Sequence, residues 1–175
     1  MKKIILLSLF ALSISSFVMA QSESRLKFSV GPELSIPTST FSLGWSFGIG
    51  ATAQVEMPVQ QNFNVTGTAG IIVYNGKSVG NGLKNASLSI IPIRVGGKYF
   101  FTQGVYGAAQ LGIGIINRYN GTAFAYSPQL GYEFRTNSGK AIDLSLKYDG
   151  YSGKNSLSNE GYTLSAIGVR VAYIF

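Results

Sequence analysis

The chain contains no cysteine and no histidine. The first absence excludes disulfides, a thiol nucleophile and a lipid-modified cysteine behind a leader. The second removes the usual general base and the commonest metal ligand. Charge is also scarce: Asp, Glu, Lys and Arg make up 12% of the 175 residues, about half the roughly 25% of an ordinary soluble domain. Beyond residue 20 no segment stays apolar for the roughly 18 residues that mark a spanning-helix candidate. An apolar, sparsely charged chain therefore has no transmembrane helix to account for its composition. What it has instead is glycine (22) and aromatic rings (10 Tyr and 11 Phe).

The first twenty residues carry Lys2 and Lys3, an apolar run from Ile4 to Val18, and "VMA" before Gln21. A positive start, an apolar centre and small residues before a cut are the features a signal peptidase reads. Ser8, Ser13, Ser15 and Ser16 interrupt the run, which is shorter than the roughly 20 residues of a membrane anchor. Residues 1–20 are therefore expected to be a cleaved signal peptide and residues 21–175 a single domain. Without Lys2 and Lys3 the formal charge of +7 becomes +5. These charges are scattered singly, as solvated loop lysines are, and no nucleic-acid partner is expected.

The repeating signal after the leader has period two. From Trp45 to Met57 the odd positions are apolar (Trp45, Phe47, Ile49, Ala51, Ala53, Val55, Met57) and the even ones small or polar. The same alternation runs through residues 26–36, 63–73, 89–100, 105–116, 124–134 and 142–148, and through the last nine residues, where Ile167, Val169, Val171, Tyr173 and Phe175 share a face. The joins near 58–62, 101–104 and 135–140 are tight. Those near 37–44, 75–86, 117–122 and 149–161 are mostly longer and rich in Gly, Asn and Ser. Eight strands joined this way predict an all-β, antiparallel up-and-down barrel, with both termini at the short-turn end.

Alternation alone does not say which face is inside. A soluble barrel with an apolar lumen would carry charge on its outer face. Here the polar face is mostly Gly, Ser, Thr and Gln, too small and uncharged for water but suited to a narrow lumen. The apolar face is continuous on all eight strands, as a lipid-wrapped wall requires. The aromatics fall into two groups: Phe28, Phe63, Tyr99, Tyr132, Phe134, Tyr173 and Phe175 near the terminal rim, and Trp45, Phe124, Tyr126 and Tyr148 near the other. Rings concentrate where a bilayer meets water. The expected class is a transmembrane β-barrel in the outer membrane of a Gram-negative-type bacterium, with periplasmic termini.

The segments "IIPIRVGGKYF", "GVYGAAQLGIGI" and the terminal "VRVAYIF", with the leader and the eight amphipathic strands, resemble the small outer-membrane protein β-barrel domain family. That family includes OmpA-like, OmpX-like and PorT-like members. The resemblance implies that the terminal aromatics Tyr173 and Phe175 serve as the signal read by the barrel-assembly machinery. It also implies outer-membrane lipid and lipopolysaccharide as partners, and it admits a role in a secretion or assembly system. Such a fold specifies no activity by itself.

The charges on the lumen phase are Lys27, Glu33, Glu56, Arg94, Lys98, Glu133, Asp143, Lys147 and Arg170. Near-balanced charges at similar depth predict a salt-bridged plug, because a narrow, low-dielectric lumen tolerates charge only when it is paired. A gated pore is the alternative. Glu133 with Asp143 could form an acid pair, but low in a packed lumen no substrate would reach it, so no catalytic, cofactor or metal site is expected. "GIGA" and "GIGII" open no helix and read as lumen glycines rather than phosphate loops. Of the outward segments, 74–85 and 149–161 offer Lys77, Lys84, Lys154 and Tyr151 for a surface partner or lipopolysaccharide phosphate. Leu164 and Ile174 break the final strand's pattern and are expected to project past the wall or pack on a loop.

Overall fold

The computed structural model describes residues 26–78, 85–117, 121–136, 140–154 and 160–175. The expected signal peptide lies outside them. Eight antiparallel strands follow one another around a closed barrel: β1 (Lys27–Thr38), β2 (Trp45–Gln60), β3 (Phe63–Gly76), β4 (Leu88–Phe100), β5 (Val105–Ile116), β6 (Gly121–Arg135), β7 (Ala141–Lys154) and β8 (Gly161–Ile174). One short helix, α1 (Phe41–Gly44), sits between β1 and β2. Closure comes from β8 pairing with β1, Val169 facing Leu34 and Ile167 facing Ile36. The Phe175 N–H extends that seam by donating to the Phe28 carbonyl at 2.9 Å. Among the described residues no strand edge is left unpaired along the wall, which is the condition for placing a sheet in lipid.

The side-chain period settles the faces. On β1 the odd residues Ser29, Glu33 and Ser35 are buried while Phe28, Val30, Leu34 and Ile36 are 48–65% exposed. The other strands repeat this, so the aliphatic residues form the outer wall and the polar ones fill the inside. Interior room is short. A Cβ at Gly31 would collide with the Val171 carbonyl and Ala172 on the neighbouring strand, so this position admits glycine only.

Outward rings line both ends of the wall. At the terminal end Tyr99 and Phe101, Tyr132 and Phe134, and Tyr173 and Phe175 pack as pairs with centroids 4.6–5.6 Å apart. At the other end Tyr126 lies 6.4 Å from Phe124 and 6.2 Å from Tyr148. Trp45 is a correction: it was expected in this outer belt but is only 9% exposed, inside the barrel. The ladder explains why. Trp45 pairs with Gly76 but Gly48 with Tyr74, so β2 spends one extra residue in a bulge that reverses the phase of everything before it.

Leu164 and Ile174 do not project past the wall: they are 5% and 3% exposed and point into the lumen, one at each end, and Leu164 belongs to the same buried cluster as Phe41 of the β1–β2 turn.

Candidate functional site

The interior of the barrel holds its chemistry in layers. Nearest the termini, Lys98 on β4 places its Nζ 2.7 Å from Glu133 Oε1, 2.8 Å from Glu56 Oε1 and 3.4 Å from Asp143 Oδ2. Three strands thus each send one carboxylate to one ammonium, whose three N–H donors match that geometry. The surroundings add hydrogen bonds to two of these carboxylates. Gln54 and Asn64 donate to Glu56 at 2.8 and 3.0 Å, and the Tyr106 hydroxyl donates to Asp143 at 2.7 Å. The Tyr106 ring lies over the ammonium, its centroid 3.9 Å from Nζ. Arg170 approaches Asp143 at 3.6 Å and donates to Thr52 and Ser29 at 2.7 and 3.0 Å. Arg135, at the rim, lies 3.4 Å from Glu133.

A second cluster sits further up the lumen. Arg94 on β4 pairs with Asp149 on β7. Lys147 bridges Asp149 at 3.2 Å and Glu33 at 2.6 Å. All four side chains are at most 2% exposed. Between the clusters Gln110 donates to Thr68 at 2.9 Å and Thr66 at 3.1 Å, crossing the interior with neutral hydrogen bonds.

Above the second cluster the chemistry changes. Phe41, Trp45, Ile72, Tyr74, Leu88, Ile90, Ile116, Tyr151 and Leu164 form one buried apolar cluster within the wall. Phe41, on α1, packs on Tyr74 and Trp45 with ring centroids 4.8 and 5.3 Å away. The turn that carries it is fixed in place. Ser39 takes a left-handed φ of 51°, and the Gly44 carbonyl accepts bonds from the Lys77 N–H at 2.8 Å and Asn85 Nδ2 at 3.1 Å. Lys77 Nζ donates to the Ser42 carbonyl at 2.7 Å, and Trp45 Nε1 to the Ala86 carbonyl at 3.2 Å. Glycines make room for the rings: a Cβ at Gly48 would fall 2.6 Å from the Tyr74 ring and one at Gly114 2.5 Å from that of Tyr151.

The expected lumen charges divide accordingly. Glu33, Glu56, Arg94, Lys98, Glu133, Asp143, Lys147 and Arg170 lie inside and buried. Lys27 does not join them; it is half-buried at the terminal mouth and meets no acid among the described residues. Asp149 belongs to the network although its "DG" reads as the start of a loop. Its parity with Asp143, Ser145 and Lys147 was the available signal, since β7 continues to Lys154. Tyr151, expected in a loop, is corrected for the same reason: it is 1% exposed inside the barrel. Lys77 and Lys154 are exposed on the loop end, and Lys84 lies outside the described residues. Tyr173 and Phe175 face outward on the last strand, 38% and 64% exposed. Among the described residues no group of three acids suits a metal ion.

The model of the outer membrane protein β-barrel domain matches residues 4–175, and the chain belongs to that family. Among curated proteins none matches the sequence significantly. Solved structures share the fold at low identity. Neisserial surface protein A is 11% identical with a TM-score of 0.63, the match covering 87% of this chain and 98% of that one. The attachment invasion locus protein Ail of Yersinia pestis, solved with the heparin analogue sucrose octasulfate, is 17% identical with a TM-score of 0.55 over 88% of this chain and all of that one. OprG of Pseudomonas aeruginosa is 9% identical at 0.50, covering 88% and 98%. The chain is thus an outer-membrane β-barrel, and these likenesses concern its architecture.

Proposed function

We propose that this protein is a non-enzymatic outer-membrane barrel whose lumen is closed and whose work, structural, adhesive or envelope-organising, is done by its exposed loops. The observation that carries the reading is the filled interior: two ion-paired layers and an aromatic layer, with Arg94, Lys98, Tyr74 and Tyr151 each at most 1% exposed. An eight-stranded interior is about wide enough for side chains alone. The termini face the periplasm in this reading, supported by the shorter joins at that end, and the loops carrying Lys77, Lys84 and Lys154 meet lipopolysaccharide phosphates or a surface protein. Outer-membrane lipid surrounds the wall, and the barrel-assembly machinery reads Tyr173 and Phe175. Neither histidine nor cysteine is available for catalysis.

The competing readings are a small-solute or ion channel and a component of a secretion or assembly system. Cells carrying the barrel with residues 79–84 and 155–159 removed should lose surface attachment or envelope integrity. Cells in which Arg94→Met and Asp149→Leu are combined should keep both. The reverse pattern would place the function in the lumen and contradict the proposal. Recovery of the loop-trimmed barrel at normal membrane levels is the control. Pull-down of a secretion component from native envelopes would favour the third reading.

A further inference from the structure

The terminal mouth of the barrel holds a feature that the closed lumen does not use. A polar hollow of about 250 Å³ opens there, lined by Lys27, Gln60, Asn64, Gln103 and Arg135 around the ring of Phe100. No carboxylate of the described residues lines it.

The charges beneath it are accounted for. Glu56, Glu133 and Asp143 meet Lys98 and Arg170, which leaves one negative charge, and Arg135 supplies the balance through Glu133. Among the described side chains Lys27 is then left without a carboxylate. Its backbone faces Glu56 across the β1–β2 ladder, yet that carboxylate is engaged by Lys98, Gln54 and Asn64. Arg135 stacks with its Cζ 5.2 Å from the Phe100 ring centroid, and its side chain is 53% exposed. A stacked guanidinium keeps its in-plane N–H donors available to a planar anion. The hollow therefore offers one ammonium with no carboxylate partner among the described side chains, one partly engaged guanidinium and several carboxamides.

We propose that this hollow binds a peptide carboxylate, from a chain terminus or from an acidic side chain. The cations select the anion and the carboxamides select the peptide. Each Gln or Asn side chain presents both a donor and an acceptor, as a peptide amide does, whereas a phosphate is mainly an acceptor and matches chiefly the donors. The volume lies below the roughly 300 Å³ at which sites for drug-sized ligands begin, so it takes a terminal residue or one acidic side chain rather than a whole ligand. The carboxylate lies against Lys27 and Arg135, with the preceding amide on Gln60 or Gln103.

The test uses the full chain in lipid nanodiscs, with the side-chain amide resonances of Gln60, Asn64 and Gln103 as reporters. The probes are N-acetyl-Ala-Ala as the free acid, the same peptide as its C-terminal amide, N-acetyl-Asp-Ala amide, and inorganic phosphate. The free acid, the aspartyl peptide or both should give saturable shifts, and which one binds names the source of the carboxylate. The amide and phosphate should bind at least tenfold more weakly. Combining Lys27→Gln with Arg135→Gln should weaken the acid by about tenfold or more, as losing charged hydrogen bonds does. Saturable shifts of equal size from the Ala-Ala acid and its amide, saturation by phosphate at the same concentration, or no saturable shift with either the free acid or the aspartyl peptide would each overturn the proposal. If the double variant does not assemble, the comparison of acid with amide on the native barrel decides.

Discussion

The two halves of the lumen are filled in opposite ways. Toward the termini the interior is ionic: Lys98 holds three carboxylates, and a second cluster joins Arg94, Asp149, Lys147 and Glu33. Toward the loops it is aromatic and aliphatic, with Phe41 set on Trp45 and Tyr74. Both halves are built of buried side chains, but they respond differently to damage. An ionic layer is held by balance, so removing one partner strands its neighbours, while removing a matched pair strands nothing. An apolar layer is held by volume, so each truncation costs in proportion to the space it leaves.

The sharpest way to test that contrast is Lys98→Met. It leaves Glu56, Glu133 and Asp143 facing one another without their shared cation, and should cost about 3–5 kcal/mol in equilibrium unfolding from lipid vesicles. A cost below about 1 kcal/mol would mean that water reaches the cluster. In the apolar half Phe41→Ala should cost about 3 kcal/mol, because the short helix cannot collapse into the space left between Trp45 and Tyr74. A near-zero value would show that the turn does not close the barrel.

A double-mutant cycle sharpens the ionic side. Asp149→Leu alone leaves Arg94 unpaired and should cost about 3 kcal/mol. Adding Arg94→Met should return the barrel to within about 1 kcal/mol of the native protein, since Lys147 keeps Glu33. Additive losses would contradict balance as the organising rule. Tyr74→Phe keeps the ring and loses only the 2.9 Å bond with Ser35 Oγ, so about 1 kcal/mol is expected.

The smallest effect on the assembled barrel belongs to removal of Phe175. Its ring is 64% exposed and its backbone adds one hydrogen bond to the β1 seam. Stability should change by less than about 1 kcal/mol, while the amount reaching the membrane falls. Normal membrane levels of the truncated chain would separate Phe175 from assembly.

The same contrast explains what the sequence made legible. Period-two alternation was enough for the strand count, the closure and the inside-out arrangement, because a lipid-facing wall must be apolar at every second residue. It also placed eight of the nine lumen charges, since parity depends only on counting. Counting fails where the ladder adds a residue, and the bulge between Trp45 and Gly48 put the one tryptophan on the wrong face. It also stops where composition imitates a turn. "DGYSG" has the residues of a loop, yet these glycines lie on a strand. Gly150 lies under Tyr126 and Gly153 beside Tyr162. Asp149 and Tyr151 were lost there, and with them the apolar half of the lumen. Lys27 shows the limit in the other direction: parity places it inside, but it stands at the mouth where water can replace a partner.

The proposed function requires that the ionic and apolar halves together close the barrel, and single-channel recording in planar lipid bilayers tests this directly. The native protein should give no discrete current steps above the bare-membrane baseline. Stable steps whose size changes with Arg94→Gln or Lys98→Gln would show a conducting lumen and contradict the account.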